Sequence, residues 1–123
     1  MKAFLNWSGG KDSAFCLYKA KQQGLAIETL VTTVNEKHNR ISMHGVRKDL
    51  LNQQAASIQL PLHIVEMPEQ ASMSTYEDVI KKSNQLLKQE GFTHVASGDL
   101  FLEDLKIYRE KLYAKSNLKC LFP

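Results

Sequence analysis

The stretch FLNWSGGKDSAF, residues 4–15, joins two apolar segments through two glycines, a lysine and an aspartate. The residues around its first half, KAFLNW at 2–7, are apolar and aromatic, as in a buried strand. The residues after it, 12–24, carry apolar side chains at helical spacing and end at Gly24, as in a helix. A plain turn needs one glycine and no charged pair framed by serines. The sequence therefore predicts a strand, a loop whose composition indicates a functional role, and a helix.

Apolar segments alternate with amphipathic segments along the rest of the chain. The further strands are predicted at 26–34, 60–67, 93–98 and 119–122, the further helices at 46–58, 74–91 and 102–117, and a loop at 35–45. Alternation of this kind predicts an α/β, Rossmann-like fold with a five-stranded parallel sheet and helices on both faces.

Two of these helices show an apolar stripe that predicts their core faces. In the helix at 46–58 the stripe consists of Val46, Leu50, Leu51, Ala55 and Ile58. In the helix at 74–91 it consists of Tyr76, Val79, Ile80 and Leu87. Ser74 or Thr75 is predicted as the N-cap of the latter helix, with Glu77 or Asp78 three residues further on.

Composition narrows the class of protein. The chain has 123 residues, 43% of them hydrophobic, and a net charge of +3. No apolar run reaches the length of a membrane span, and the N-terminus lacks a signal-peptide layout, so we expect a cytoplasmic protein without a membrane partner. The positive excess is mild and forms no concentrated basic stripe, so we do not expect a nucleic-acid partner.

The glycine loop has the properties of an anion site. It lies at the carboxyl end of a strand and at the start of a helix, where backbone N–H groups and the helix dipole favour phosphate. Gly9 and Gly10 allow several amides to converge, Lys11 adds a mobile positive charge, and Ser8 and Ser13 add hydroxyl donors.

Asp12 is the unexpected residue of this loop, because a carboxylate repels a phosphate unless a cation lies between them. Two roles follow, an N-cap of the helix or a contact to Mg²⁺, and they are compatible with each other. The Walker motif is excluded because Leu5 stands where it needs glycine and Asp12 where it needs Ser or Thr. No Gly-x-Gly-x-x-Gly motif is present either.

The motif SGGKDS, residues 8–13, resembles the signature of the PP-loop ATP pyrophosphatases. Three further stretches resemble the diphthine–ammonia ligase family in particular: LVTTV at 30–34, SMHGVRKDLLNQQAASIQLPL at 42–62 and GFTHVASGDLFLEDLKIYRE at 91–110. The resemblance covers essentially the whole chain and implies a sheet in the order 3-2-1-4-5, which agrees with the alternation.

The resemblance implies an ATP site and its residues. The nucleotide-binding residues would be Ser8, Gly9, Gly10, Lys11, Asp12, Ser13, Thr32, Thr33, His44 and Gly98. Lys11, Asp12 and Asp99 would be catalytic, and Asp12 and Asp99 would bind Mg²⁺. Asp99 follows the fourth strand and so reaches the same sheet edge as Asp12, but it also suits a helix cap. His44 equally suits a solvated loop.

The activity implied is cleavage of ATP between the α and β phosphates, which adenylates a carboxylate that ammonia or an amine then converts to an amide. The partners would be ATP, Mg²⁺ and an unidentified carboxylate or amine substrate. We expect one PP-loop domain over residues 1–123, without the second, substrate domain of the family's longer members. A non-catalytic ATP-binding module like the universal-stress proteins and a fragment that needs a partner chain stay open, and a bare sheet edge favours a homo-oligomer.

Overall fold

The structure of the protein, a computed structural model, describes residues 1–35, 40–41, 47–68, 70–98 and 103–123, with residues 40–41 and 103–105 described as backbone alone. Strands and helices alternate along these ranges. The elements are β1 (Ala3–Asn6), α1 (Lys11–Gln22), β2 (Ile27–Asn35), β3 (Arg40–Ile41), α2 (Lys48–Ile58), β4 (Leu62–Met67), α3 (Met73–Gln89), β5 (His94–Ala96), α4 (Glu103–Ala114) and β6 (Lys119–Leu121).

Five parallel strands form the sheet in the order β4-β2-β1-β5-β6. Numbered without the two-residue β3, this is the order 3-2-1-4-5, so the predicted α/β, Rossmann-like fold is confirmed. Because β1 has the central position, the loop that follows it opens at the middle of the carboxyl edge. In open α/β sheets this edge is where ligands bind.

The short strand β3 was not predicted and lies within the segment expected to be a loop. It pairs antiparallel with the end of β2, Val34 with Ile41 and Asn35 with Arg40. Asn6, the last residue of β1, pairs with Val31 of β2. Because β2 continues to Asn35, its edge on the β1 side has no β1 partner beyond Val31. The other edge of β2 is occupied by β4 up to Asn35, which leaves the β1 side for β3.

Two apolar clusters cover the two faces of the sheet, as the sequence predicted. One cluster joins Leu5 and Leu30 to α1 and α2, with Leu17 and Leu51 among its buried members. The other cluster contains residues of α3 and α4. Successive residues such as Phe4 and Leu5 belong to opposite clusters because strand side chains alternate between faces. Within the described ranges, no helix combines the length and apolarity needed to cross a membrane.

The predicted core stripe of α2 is partly wrong. Leu51 and Ala55 are buried, but Leu50 is 46% exposed, and Val46 lies outside the described residues. Neighbouring residues of a helix point about 100° apart, so Leu50 leaves the core when Leu51 occupies it. In α3, Ile80 and Leu87 are buried as predicted, and Tyr76 and Val79 are half-buried.

The predicted N-cap of α3 is also wrong. Ser72 is the cap: its backbone is extended and its side chain accepts a hydrogen bond from the Thr75 amide at 3.1 Å. The helix thus begins at Met73, ahead of the predicted caps Ser74 and Thr75. Thr75 is the donor of the cap interaction because a cap oxygen reaches the amide three residues ahead.

Gly98, just after β5, lies against the first turn of α1. A Cβ atom at this position would come within 2.9 Å of the Asp12 carbonyl oxygen and 3.3 Å of the Cys16 Cβ. No side chain larger than hydrogen fits there without a shift of the helix backbone. The carboxyl end of β5 therefore fixes the position of the helix that follows the glycine loop.

We predict that Gly98→Ala lowers the free energy of unfolding by about 1–3 kcal/mol, because the added methyl group overpacks against α1. Chemical denaturation monitored by circular dichroism measures the change. Gly10→Ala is the matched control, since a Cβ there meets only Ser8 Oγ at 3.7 Å. Equal losses in the two variants would contradict the close approach at Gly98.

We predict that Ser72→Ala destabilises the protein by about 1 kcal/mol, because the Thr75 amide loses its cap. Ser74→Ala, inside the first turn of the same helix, is the control and should leave the denaturation midpoint nearly unchanged. A larger loss at Ser74 than at Ser72 would show that the helix begins where the sequence predicted.

Candidate functional site

The loop between β1 and α1 leaves the start of the helix open to an anion. Gly9 has a φ of 81°, in the left-handed region that favours glycine. Gly10 is the N-cap of α1 and has an extended backbone. Because glycine has no side chain, the cap residue provides no oxygen acceptor to the amides of the first turn. The first amides of a helix have no partners inside it, so a ligand that brings acceptors finds them available here.

The interpretation of Asp12 as the N-cap is wrong, because the cap position belongs to Gly10. Asp12 lies in the first turn of α1, where its exposed carboxylate complements the positive end of the helix dipole. Its other suggested role, a contact to Mg²⁺, stays a prediction.

The two serines of the loop bond to each other. Ser8 Oγ and Ser13 Oγ lie 2.7 Å apart, and Ser13 Oγ also accepts the Ser8 amide proton at 3.1 Å. Ser13 is buried, whereas Ser8 is half-buried. Ser13 therefore links Ser8, which follows β1, to the first turn of α1, and these hydrogen bonds close the loop between the two elements.

A side chain of α2 also forms hydrogen bonds to the loop, which the sequence did not predict. Trp7 Nε1 donates to Gln54 Oε1 at 2.9 Å, and Gln54 Nε2 donates to the Gly9 carbonyl oxygen at 3.3 Å. One side-chain amide thus bridges the residues on either side of Ser8. Nothing local distinguishes Gln54 from Gln53, the other glutamine of this helix, so no sequence pattern identifies it.

A polar network at the carboxyl edge was missed as well. Asn6 Nδ2 donates to Ser97 Oγ at 3.0 Å and to the Tyr113 hydroxyl at 3.1 Å. Burial raises the pKa of Tyr113 to about 12. These contacts join β1, the end of β5 and α4 directly beside the glycine loop.

The loop opens into a cleft of about 800 Å³ that extends along the α3–α4 face of the sheet. This volume falls within the range of small-molecule sites. The predicted site residues that line it are Ser8, Gly10, Lys11, Asp12, Ser13, Thr32, Thr33 and Gly98. Gly9 lies within the loop, and the predicted residues His44 and Asp99 lie outside the described residues. The cleft thus brings together most of the predicted residues from three separate segments.

Thr32 and Thr33, the two predicted site residues of β2, differ in orientation. Thr33 pairs with Val65 and shares the α3–α4 face with Val31, so its side chain faces the region of the cleft. Thr32 alternates with Thr33 and shares the opposite face with Leu30 and Val34. Its contribution to the cleft therefore comes from the strand backbone.

Among the residues that the structure describes, the charged ones that line the cleft are Lys11, Asp12 and Arg109. Among the described residues, no group of three or more His, Cys, Asp or Glu side chains is arranged to hold a metal ion. Mg²⁺ in nucleotide sites takes one or two carboxylates, with phosphates and water as its other ligands. One described carboxylate, Asp12, therefore fits an ion that arrives with a polyphosphate.

Comparison with known families connects this geometry to a described group of proteins. The family model of the diphthamide synthase N-terminal domain matches residues 1–120. A comparison with curated proteins gives no match. The match includes the glycine loop, the first four parallel strands, the helices on both faces and the first two residues of β6. The chain therefore belongs to the diphthamide synthase N-terminal domain family, within the PP-loop superfamily.

Proposed function

We propose that the protein binds ATP with its phosphates in the glycine loop and cleaves it between the α and β phosphates to adenylate a carboxylate. The observation that carries this proposal is the start of α1, where Gly9 and Gly10 leave the helix amides without a side-chain cap. This start opens into a cleft that Lys11 also lines. Family membership supports the same chemistry.

The polyphosphate would be held by backbone amides of the loop and by the Lys11 ammonium group, which is exposed and able to move toward it. Ser8, the half-buried serine of the pair, is the better placed to give a hydroxyl to the ligand, and Ser13 keeps the loop in shape. The adenine would lie against the end of β2, at the backbone of Thr32 and Thr33. His44 remains a proposed contact of the nucleotide.

The reaction proceeds in two displacements. A substrate carboxylate oxygen attacks the α-phosphorus, and the bond from that phosphorus to the oxygen bridging the β-phosphate breaks, so pyrophosphate leaves with the electron pair. An ammonia or amine nitrogen then attacks the acyl carbon. AMP leaves, the nitrogen gives up a proton, and an amide remains.

The chain's own residues position the reactants and stabilise charge. Lys11 and the loop amides offset the negative charge that grows on the pyrophosphate as it leaves. Asp12 and, outside the described residues, Asp99 would hold Mg²⁺, which supplies further neutralisation of the phosphate charge when it is bound.

A second candidate is an ATP-binding module without turnover, like the universal-stress proteins. It is favoured by one observation: Asp12 is the only carboxylate among the described residues that line the cleft. The products that form from ATP separate the two candidates.

We predict that incubation with ATP, Mg²⁺ and a carboxylate substrate yields AMP and pyrophosphate, separated and quantified by ion-exchange chromatography. Binding without AMP would indicate the module, and ADP with inorganic phosphate would contradict the proposed reaction.

We predict that Lys11→Ala weakens ATP binding about ten- to a hundredfold, the effect of losing a hydrogen bond to a charged group. Isothermal titration calorimetry measures the affinity. Lys21→Ala is the matched control, because Lys21 is an exposed lysine in the last turn of the same helix. Gly10→Ala should also weaken binding, because Gly10 lines the cleft and a methyl group there meets only Ser8 Oγ, at 3.7 Å, in the free protein. Equal affinities for the Lys11 and Lys21 variants would contradict the proposed site.

A further inference from the structure

The peptide group between Gly9 and Gly10 is the part of the glycine loop whose orientation the local sequence does not fix. Gly9 has a φ of 81°, and Gly10 continues with an extended backbone. Neither residue carries a Cβ atom, so the steric limits that hold other residues leave this peptide group able to turn over. The two orientations differ for an anion, because one presents the Gly10 N–H to it and the other presents the Gly9 carbonyl oxygen.

A side chain of α2 selects between these orientations. Gln54 Nε2 donates to the Gly9 carbonyl oxygen at 3.3 Å. The carbonyl oxygen and the N–H of a trans peptide point to opposite sides, so the Gly10 N–H points away from Gln54. It is directed at Ser8 Oγ, 3.4 Å away, and both Ser8 and Gly10 line the cleft. A hydrogen bond of this length is weak, so a phosphate oxygen can replace the hydroxyl as the acceptor.

The indole of Trp7 fixes which end of the Gln54 amide faces the loop. Trp7 Nε1 donates to Gln54 Oε1 at 2.9 Å. An indole nitrogen can only donate and a carbonyl oxygen can only accept, so exchanging the two ends of the amide would break both contacts. Trp7 is buried in the same apolar cluster as Leu51 and Ala55, which lie on either side of Gln54 in the chain. The glutamine therefore projects from a firmly packed part of α2.

We propose that Gln54 is a positioning residue, which acts through the Gly9 carbonyl to keep the Gly10 N–H directed at a phosphate oxygen in the glycine loop. The inference rests on the proposed function for the identity of that ligand, the polyphosphate of a nucleotide. Gln54 acts on the peptide group and not on the nucleotide itself. Its effect is to exclude the orientation in which a carbonyl oxygen would face the phosphate and repel it.

Gln54→Glu tests this role because it changes one group of the side chain at nearly constant shape. The carboxylate still accepts the Trp7 indole proton, but it has no proton for the Gly9 carbonyl and repels that oxygen. We predict that at neutral pH this variant binds ATP with Mg²⁺ about ten- to a hundredfold more weakly than the unaltered protein, the effect of losing a hydrogen bond to a charged group. Isothermal titration calorimetry measures both affinities.

Protonation of the new carboxyl group should restore the affinity. A neutral carboxyl group has one donor and one acceptor oxygen, so it can make both contacts of the original amide. Gln53→Glu adds the same charge at the exposed neighbouring residue and should follow the unaltered protein at every pH. Unchanged affinity of Gln54→Glu at neutral pH would overturn the proposal. So would an affinity that stays low after the carbon-13 resonance of the carboxyl group shows that it is protonated.

Gln54→Met removes the donor without adding a charge, which gives a test that does not depend on pH. It should weaken ATP binding several-fold, because the peptide group is then neither held nor repelled, and an unchanged affinity would overturn the proposal. Trp7 is the only tryptophan of the chain, so its indole resonance reports whether each variant is folded. Loss of the folded resonance in both variants would show that Gln54 supports the whole fold, and would overturn its role as a positioning residue.

The protein without nucleotide separates this proposal from the proposed function. In Gln54→Glu the backbone amide resonance of Gly10 should shift as the carboxyl group is protonated, whereas in Gln53→Glu it should not. This shift, in a protein that binds no ATP, would support the control of the peptide group by Gln54 and contradict the proposed function. ATP binding that depends on Lys11 but not on Gln54 would support the proposed function and overturn the role of Gln54.

Discussion

The connection from β1 to α1 is the constraint on which the remaining site depends. The chain must leave the central strand and enter a helix within a few residues, and it does so with Gly9 in the left-handed region and Gly10 extended. This path leaves the N-terminus of α1 facing the cleft without a side-chain cap. A residue with a Cβ at Gly9 would be strained, and a capping side chain at Gly10 would compete with a ligand for the same amides.

Groups from separate elements hold this short connection in place. Gln54 of α2 bonds to the Gly9 carbonyl, and Ser13 of α1 bonds to Ser8. Gly98 allows the end of β5 to lie against the Asp12 backbone. A preorganised loop loses less conformational entropy when a ligand binds, so these contacts favour affinity as well as stability. The α3–α4 face is different, since the cleft interrupts its packing.

Much of the fold followed from local patterns in the sequence. The alternation of apolar and amphipathic segments predicted the parallel sheet, and SGGKDS predicted an anion site at the end of β1. Patterns of this kind depend on neighbours in the chain, and they failed where a choice between close alternatives was needed. Ser72, Ser74 and Thr75 all suit a cap, and only the start of α3 at Met73 selects Ser72. Asn6, Gln54 and Tyr113 could not be predicted, because their partners are distant in sequence and become neighbours only in the folded sheet.

The central claim is that the amides between β1 and α1 bind a polyphosphate. A crystal structure with Mg²⁺ and α,β-methylene-ATP, which resists cleavage at the proposed bond, tests it most directly. The account predicts that phosphate oxygens lie within hydrogen-bonding distance of the amides of Gly9 and Gly10, with the Lys11 ammonium group beside them. A triphosphate ordered outside the glycine loop, or a loop without nucleotide at saturating concentration, would contradict it.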